Sequence, residues 1–177
     1  FNFTYVVNNP PSSPYFPSST YQSDGFSIGL QPTNLANNCK SIGEWQLKMK
    51  AAWHEIVELF SDESDFMGID SSIAPLLNDE GSFIHFLNRM NISFSKSTIT
   101  PLYCHLTNFI KIENPKPIGL CGLMIPALED FELANEYEKG HFSMERNLFL
   151  SLHCGLGIDT YPIGIDEDRQ TLLDILK

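Results

Sequence analysis

The sequence predicts an α/β fold in which mostly parallel strands alternate with helices. Residues 25–30 and 66–72 are typical of short strands, residues 117–125 are apolar and typical of a strand or a strand-to-loop segment, and the stretches between them carry apolar residues at helical spacing. Strands that alternate with helices are typical of βαβ units, in which helices cover a mostly parallel sheet. Hydrophobic residues make up 42% of the 177 residues, which is enough to bury a core.

The first 39 residues have a composition of their own. Asp24 is the only charged residue among them, and five of the 11 prolines fall in this part of the chain. An apolar run at residues 3–7 precedes the prolines and the run at 25–30 follows them, so residues 1–39 are predicted to form a strand, an extended loop and a second strand. A flexible linker is the alternative. Three aromatic residues, which linkers usually lack, argue against it: Tyr15, Phe16 and Tyr21.

Residues 40–177 are predicted to alternate between helices and strands. Trp45, Met49 and Trp53 recur at helical spacing and indicate a long amphipathic helix. The strand at 66–72 follows, and Asn78 or Asp79 is expected to cap a helix that runs to about Met90. Further helices are predicted at 98–109, 127–139, 143–154 and from Asp166 onward, with extended segments at 117–125 and 158–163.

Both ends of the chain are abrupt, because a strand is under way at Phe1 and a helix is unfinished at Lys177. Complete domains usually end in loosely held polar residues. Residues 1–177 are therefore expected to form a single, incomplete domain.

The net charge and the cysteine content argue against several kinds of partner and against a disulfide scaffold. The net charge of -11 argues against nucleic acid or an anionic membrane as a partner, since both attract basic surfaces. No apolar run approaches the roughly 20 residues that cross a bilayer. The four cysteines lack C-x-x-C spacing and are too few for a disulfide scaffold, which favours reduced thiols in the cytoplasm.

Three stretches of the sequence carry a resemblance to a known family. Residues 119–130 read G-L-C-G-L-M-I-P-A-L-E-D, residues 154–163 read C-G-L-G-I-D-T-Y-P-I, with Asp166 shortly after, and residues 69–75 read I-D-S-S-I-A-P. Together they resemble the motifs of domain-of-unknown-function family 711. Gly164 departs from the pattern, because many members have proline there.

The resemblance implies an α/β barrel similar to the pyruvate formate-lyase-like barrel of glycyl radical enzymes. A shared fold does not by itself imply a shared function. The radical loop of those enzymes, of the type Arg-Val-x-Gly-Tyr, does not occur in the sequence, so radical chemistry is not implied.

Three residues are candidates for catalysis. Asp70 ends a buried apolar strand, where α/β folds place their sites, and Asp159 follows a glycine loop in an apolar run. Cys121 lies between Gly119 and Gly122, where the main chain can approach a ligand closely. The alternative for Cys121 is a small buried hydrophobe, and that for Asp159 is a turn former.

Ligand and metal candidates come from the same segments. Gly155, Gly157 and Ser72 are candidates for a ligand-binding loop. Acidic residues that converge on one pocket could hold Mg²⁺ or a similar hard cation, and Asp70, Glu129 and Asp159 are the candidate ligands. The alternative for Glu129 is a helix N-terminal residue that satisfies the helix dipole.

Besides a metal-dependent hydrolase, which needs acidic residues within about 5 Å of one another, two functions remain open from the sequence. One is an enzyme of family 711 that acts on a small molecule in a pocket at the carboxyl ends of the strands. The other is a non-catalytic ligand-binding or interaction subunit that completes its barrel with another chain, either a second copy or a different protein.

Overall fold

A computed structural model of the protein describes residues 24–77, 80–154 and 158–175, and it describes only the main chain of Cys154 and Ile175. In chain order the elements are β1 (Phe26–Gly29), a 3-10 helix (Pro32–Ala36), α1 (Ile42–Leu59), β2 (Phe66–Asp70), α2 (Phe83–Arg89), α3 (Phe94–Ser97), α4 (Leu102–Glu113), α5 (Phe131–Glu138), α6 (Met144–Cys154) and α7 (Arg169–Ile175).

Strands β1 and β2 pair in parallel, with Ile28 opposite Ile69 and Gly29 opposite Asp70. The parallel pairing and the helix between the strands confirm the mixed α and β architecture predicted at residues 25–30 and 66–72. In the described part of the chain the sheet consists of these two strands, so a closed barrel is not observed there.

Helix α1 buries one apolar face, as its apolar spacing predicts. The Ser41 side chain accepts a hydrogen bond from the Glu44 N–H and caps the helix. Trp45, Met49 and Trp53 are fully buried along one face. The ring centroid of Trp45 lies 5.3 Å from that of Phe86 in α2, and the ring centroid of Trp53 lies 5.2 Å from that of Phe109 in α4. Helix α1 therefore anchors both α2 and α4 to the core.

Helix α2 begins later than the sequence predicts. Its cap is Ser82, whose side chain accepts a hydrogen bond from the His85 N–H, and neither Asn78 nor Asp79 fills that role. The Leu76 N–H donates to the Gly81 carbonyl, which closes a turn immediately before the helix. Helical geometry starts only at Phe83, directly after the Ser82 cap. Asn78 and Asp79 themselves lie outside the described residues.

The remaining elements match the predictions in kind and differ in their ends. Helix α4 starts at Leu102 instead of residue 98, because Pro101 stands at its cap. Helix α5 starts at Phe131, capped by Asp130, and Gly140 follows its end with a φ of 74°. Helix α3 and the 3-10 helix were not predicted. The predicted strand at 3–7 and the proline-rich loop after it lie outside the described residues.

Among the described residues, no helix combines the length and the apolar character needed to cross a membrane.

Candidate functional site

A third extended segment runs beside β2 on the side opposite β1. Parallel bridges join Ile69 to Pro117 and Ile73 to Leu123. The Ile69 N–H donates to the Lys116 carbonyl at 2.8 Å, and the Met124 N–H donates to the Ile73 carbonyl at 2.8 Å. The segment at 117–125, which was predicted to be a strand or a strand-to-loop segment, therefore pairs with β2 in parallel at two isolated bridges, and the pairing is interrupted between them.

The interruption surrounds the side chain of Asp70, the last residue of β2. Asp70 is 5% exposed, and its Oδ1 accepts hydrogen bonds from the Ser72 N–H at 2.9 Å, the Ser72 hydroxyl at 2.6 Å and the Cys121 N–H at 3.2 Å. Its Oδ2 accepts from the Leu120 N–H at 3.2 Å. A buried carboxylate with this many donors is compensated within the protein, so Asp70 holds residues 119–121 against the end of β2.

This loop has a main-chain conformation that side chains rarely adopt. The φ angles are 75° at Gly119 and 45° at Cys121. A Cβ at Gly119 would collide with the carboxylate of Asp70. Cys121, which has a Cβ, is held in the left-handed region by its hydrogen bond to Asp70 and by the pairing that resumes at Leu123.

Cys121 is 4% exposed, and its thiol faces the interior of the protein. Sγ lies 3.3 Å from the Ile118 carbonyl and 3.6 Å from the Ile69 carbonyl, so the S–H has acceptors on the main chain. Burial raises the pKa of the Cys121 thiol, and the negative charge of Asp70 raises it further. These surroundings favour the thiol over the thiolate, which is the nucleophilic form of cysteine.

Ser72 and Ser71 continue the polar cluster on opposite sides of the chain. The Ser72 hydroxyl, which donates to Asp70, accepts a hydrogen bond from the Gly122 N–H at 3.3 Å. The Ser71 hydroxyl accepts from the Trp53 indole N–H at 2.7 Å. The residues after β2 are thereby fixed to both the loop and α1.

Asn114 joins the same cluster and was not singled out from the sequence. Its amide nitrogen donates to the Ile69 carbonyl at 2.9 Å, and its amide oxygen accepts from the Lys116 N–H at 3.1 Å. Only its position before Pro115, where a helix is expected to stop, sets it apart in the sequence. It is 3% exposed, and it ties the end of α4 to the end of β2.

The other two candidate acids lie in different surroundings. Asp159 is half-buried, and its Oδ1 accepts a hydrogen bond from the adjacent Thr160 N–H at 2.8 Å, as a turn former does. The Glu129 side chain is exposed. Its neighbour Asp130 is 1% exposed and accepts hydrogen bonds from the N–H groups of Glu132, Leu133 and Phe83, so Asp130 caps α5.

Asp70, Ser72 and Cys121 are thus brought together, while Glu129 and Asp159 do not share a cluster with Asp70. In residues 24–77, 80–154 and 158–175, no three His, Cys, Asp or Glu side chains are grouped closely enough to hold a metal ion. The loop candidates Gly155 and Gly157 lie outside the described residues.

Three surface cavities lie away from the Asp70 cluster. The first cavity, of 440 Å³, lies on the surface between α1 and α4. The second, of 390 Å³, lies between α5, α6 and α7, and the third, of 270 Å³, lies between α4 and α6. None of the three is lined by Asp70, Ser72 or Cys121. The cluster is therefore packed against its own loop instead of lining any of these cavities.

Comparison with known proteins gives one match. Neither a curated protein nor a solved structure matches the chain. The family described as "Uncharacterised ACR (DUF711)" matches residues 1–177, which include the three motifs described above. This chain therefore belongs to the DUF711 family.

Proposed function

We propose that the chain is part of an α/β barrel enzyme and binds a small molecule at the carboxyl ends of its parallel strands. The order of its extended segments supports the barrel. β1, β2 and residues 117–123 lie side by side in chain order, and all three are parallel. Barrels wind in one direction in this way, whereas doubly wound sheets reverse their order at a switch point.

The observation that carries the proposal is the loop at residues 119–121. Its left-handed main chain at Gly119 and Cys121 is held in place by the carboxylate of Asp70 at the carboxyl end of β2. Unfavourable main-chain conformations persist where the surroundings hold them, and they cluster at ligand sites. Parallel strands present their binding loops at this same end.

Exposed apolar side chains support a ligand with an apolar part. Leu76 and Leu77, which follow β2, are 55% and 47% exposed, and Leu120 in the loop is 40% exposed. Because β2 and the 117–123 segment are parallel, these leucines follow the same edge of the sheet. Ligand sites combine such apolar walls with a few fixed polar groups.

The proposal gives the candidate residues different roles. Asp70 and Ser72 act as positioning residues, since their polar atoms are occupied by hydrogen bonds to the loop. Asp159 accepts one hydrogen bond from its own neighbour, which leaves its carboxylate available for acid–base chemistry or, with Glu129, for a cation such as Mg²⁺. The buried thiols of Cys39 and Cys121 and the free Cys104 suit the reducing cytoplasm.

The test is a thermal-shift screen of small metabolites that have both a polar and an apolar part, each with and without Mg²⁺. A ligand at 100 times its Kd should stabilise the protein by about 2.7 kcal/mol. In a chain of this size, each kcal/mol of stabilisation raises the melting temperature by about 2–4 °C.

Two variants locate the site for any ligand that is found. Leu120→Glu places a charge on the loop and should remove the shift. Leu59→Glu changes a side chain that is 74% exposed at the end of α1, from which the chain returns to the amino end of β2, and should leave the shift intact. Loss of the shift in Leu59→Glu but not in Leu120→Glu would exclude a site at the strand ends.

A second candidate is a subunit that completes its barrel with another chain. Strand β1 favours it, because Phe26, Ser27 and Gly29 are exposed and β2 is its one partner among the described residues. An unpaired strand edge invites a further strand. Sizing chromatography combined with light scattering tests this idea, and a monomer at high concentration would count against it.

A further inference from the structure

A cysteine and a histidine meet at the cavity between α4 and α6, away from the Asp70 cluster. Sγ of Cys104 lies 3.2 Å from Nδ1 of His153, although the two residues are 49 positions apart in the chain. Both side chains are partly exposed, and both line the 270 Å³ cavity. Cys104 precedes Asn114 by ten residues along α4, which separates the two places by about 15 Å at 1.5 Å per residue.

The pair lies between two helix ends of opposite polarity. Cys104 lies in the first turn of α4, and His153 lies in the last turn of α6. The N-terminus of a helix carries a partial positive charge and its C-terminus a partial negative charge. Negative charge that develops on a substrate oxygen beside the sulfur would therefore face the positive end of α4.

Two further contacts fix the histidine. The Phe149 ring, one helical turn earlier, meets the imidazole edge to face at 4.8 Å between centroids. The Thr107 hydroxyl donates to the His153 carbonyl at 3.2 Å, which ties this turn of α6 to α4. A nucleophile, a base within hydrogen-bonding reach and contacts that orient the base are the parts that nucleophilic catalysis requires.

The start of α4 also offers main-chain donors beside the sulfur. The first bond of the helix is donated by the His105 N–H to the Pro101 carbonyl. The N–H groups of Tyr103 and Cys104 precede that bond and have no acceptor in the described part of the chain. Such donors stabilise an oxyanion that forms next to the sulfur. Apolar side chains of the cavity, Ile99, Phe149 and Leu150, would face an apolar acyl group.

We propose that Cys104 and His153 form a nucleophilic thiol site that accepts acyl groups from small activated esters and thioesters. The sulfur forms a bond to the carbonyl carbon as His153 takes the thiol proton. The carbonyl electrons move to oxygen and return as the bond to the leaving group breaks, and His153 gives its proton to that group. Attack by water on the Cys104 thioester, with the proton again passing through His153, releases the acid and restores the thiol.

The test uses p-nitrophenyl acetate as the probe, on the whole chain. Peptide mass spectrometry after quenching should find one acetyl group on Cys104, together with a burst of one nitrophenolate per chain. Cys104→Ser should remove the burst. His153→Gln should slow acetylation by about 100-fold, which is the usual scale for loss of a general base.

Matched controls separate the site from general reactivity. Cys39→Ala removes a buried thiol, and His54→Gln removes an exposed imidazole on α1. In both variants the probe should acetylate Cys104 at the same rate as in the unaltered protein. Iodoacetamide on the unaltered protein gives an independent readout that needs no variant to fold. It should label Cys104 before Cys39 and Cys121. Equal acetylation rates in the unaltered protein and in His153→Gln, or labelling of another cysteine first, would overturn the proposal.

Discussion

Replacing Asp70 with asparagine should loosen the loop at residues 119–121 and lower the free energy of unfolding. The carboxylate accepts four hydrogen bonds, three of them from main-chain N–H groups of Ser72, Leu120 and Cys121. An asparagine keeps one oxygen and turns an N–H₂ group toward one of these donors. That substitution should cost about 1–3 kcal/mol, because one hydrogen bond to a charged acceptor is lost and a donor is left facing a donor.

Alanine at the same position removes every acceptor. The N–H groups of Ser72 and Cys121 would stay buried without partners, at about 1–3 kcal/mol each. Leu120 is partly exposed and can turn to water. Asp70→Ala should therefore lose about 3–5 kcal/mol, a large part of the 5–15 kcal/mol typical of a folded protein.

Urea denaturation followed by circular dichroism measures both losses. The matched control is Asp159→Asn, which changes a half-buried carboxylate that accepts one hydrogen bond from its neighbour. It should change the stability by less than about 1 kcal/mol. If Asp70→Ala and Asp159→Asn were equally stable, the carboxylate would not hold the loop and our description of the site would fail.

Three further predictions concern the rest of the fold. Gly119→Ala should strongly destabilise the protein, since φ at this position is 75° and the new Cβ would collide with the carboxylate of Asp70. Gly140→Ala has a similar φ of 74° but open space around the Cβ, so it should cost about 1 kcal/mol. Urea titration measures the free energy of unfolding of both variants. Asp130→Ala should cost about 2–4 kcal/mol, because three N–H groups lose their acceptor, and Glu129→Ala should be nearly neutral; melting temperatures of the two variants test this. Burial raises the pKa of Tyr103, so the folded state keeps the phenol proton longer than the unfolded state does, and stability should fall as the pH rises above about 10. Phenylalanine at this position should flatten that fall in unfolding experiments at alkaline pH.

The sequence predicted the elements whose periodicity is strong. Helix α1 carries its apolar face at regular helical spacing, and the strand at Phe66–Asp70 is a short, mostly apolar run that ends in a polar residue. The start of α2 was predicted wrongly, because several neighbouring polar residues can cap a helix and Ser82 is the one whose side chain accepts a hydrogen bond from the first turn.

The candidate site was partly predictable for a similar reason. Asp70 and Ser72 could be placed at a strand end by the apolar run before them, and Cys121 by the glycines around it. The hydrogen bonds from residues 120 and 121 to Asp70 span about 50 positions, and no local pattern encodes them. The pairing of Cys104 with His153 depends in the same way on how α4 packs against α6.

The most direct test of a ligand site at the strand ends is hydrogen–deuterium exchange of the whole chain with and without a ligand from the screen. If the site is formed by the Asp70-held loop, the ligand should slow exchange at Leu120 and in the residues that follow β2, and Leu120→Glu should abolish this protection. Protection confined to α1 and α4, or to the helices around the other cavities, with unchanged exchange at residues 118–122, would contradict our account.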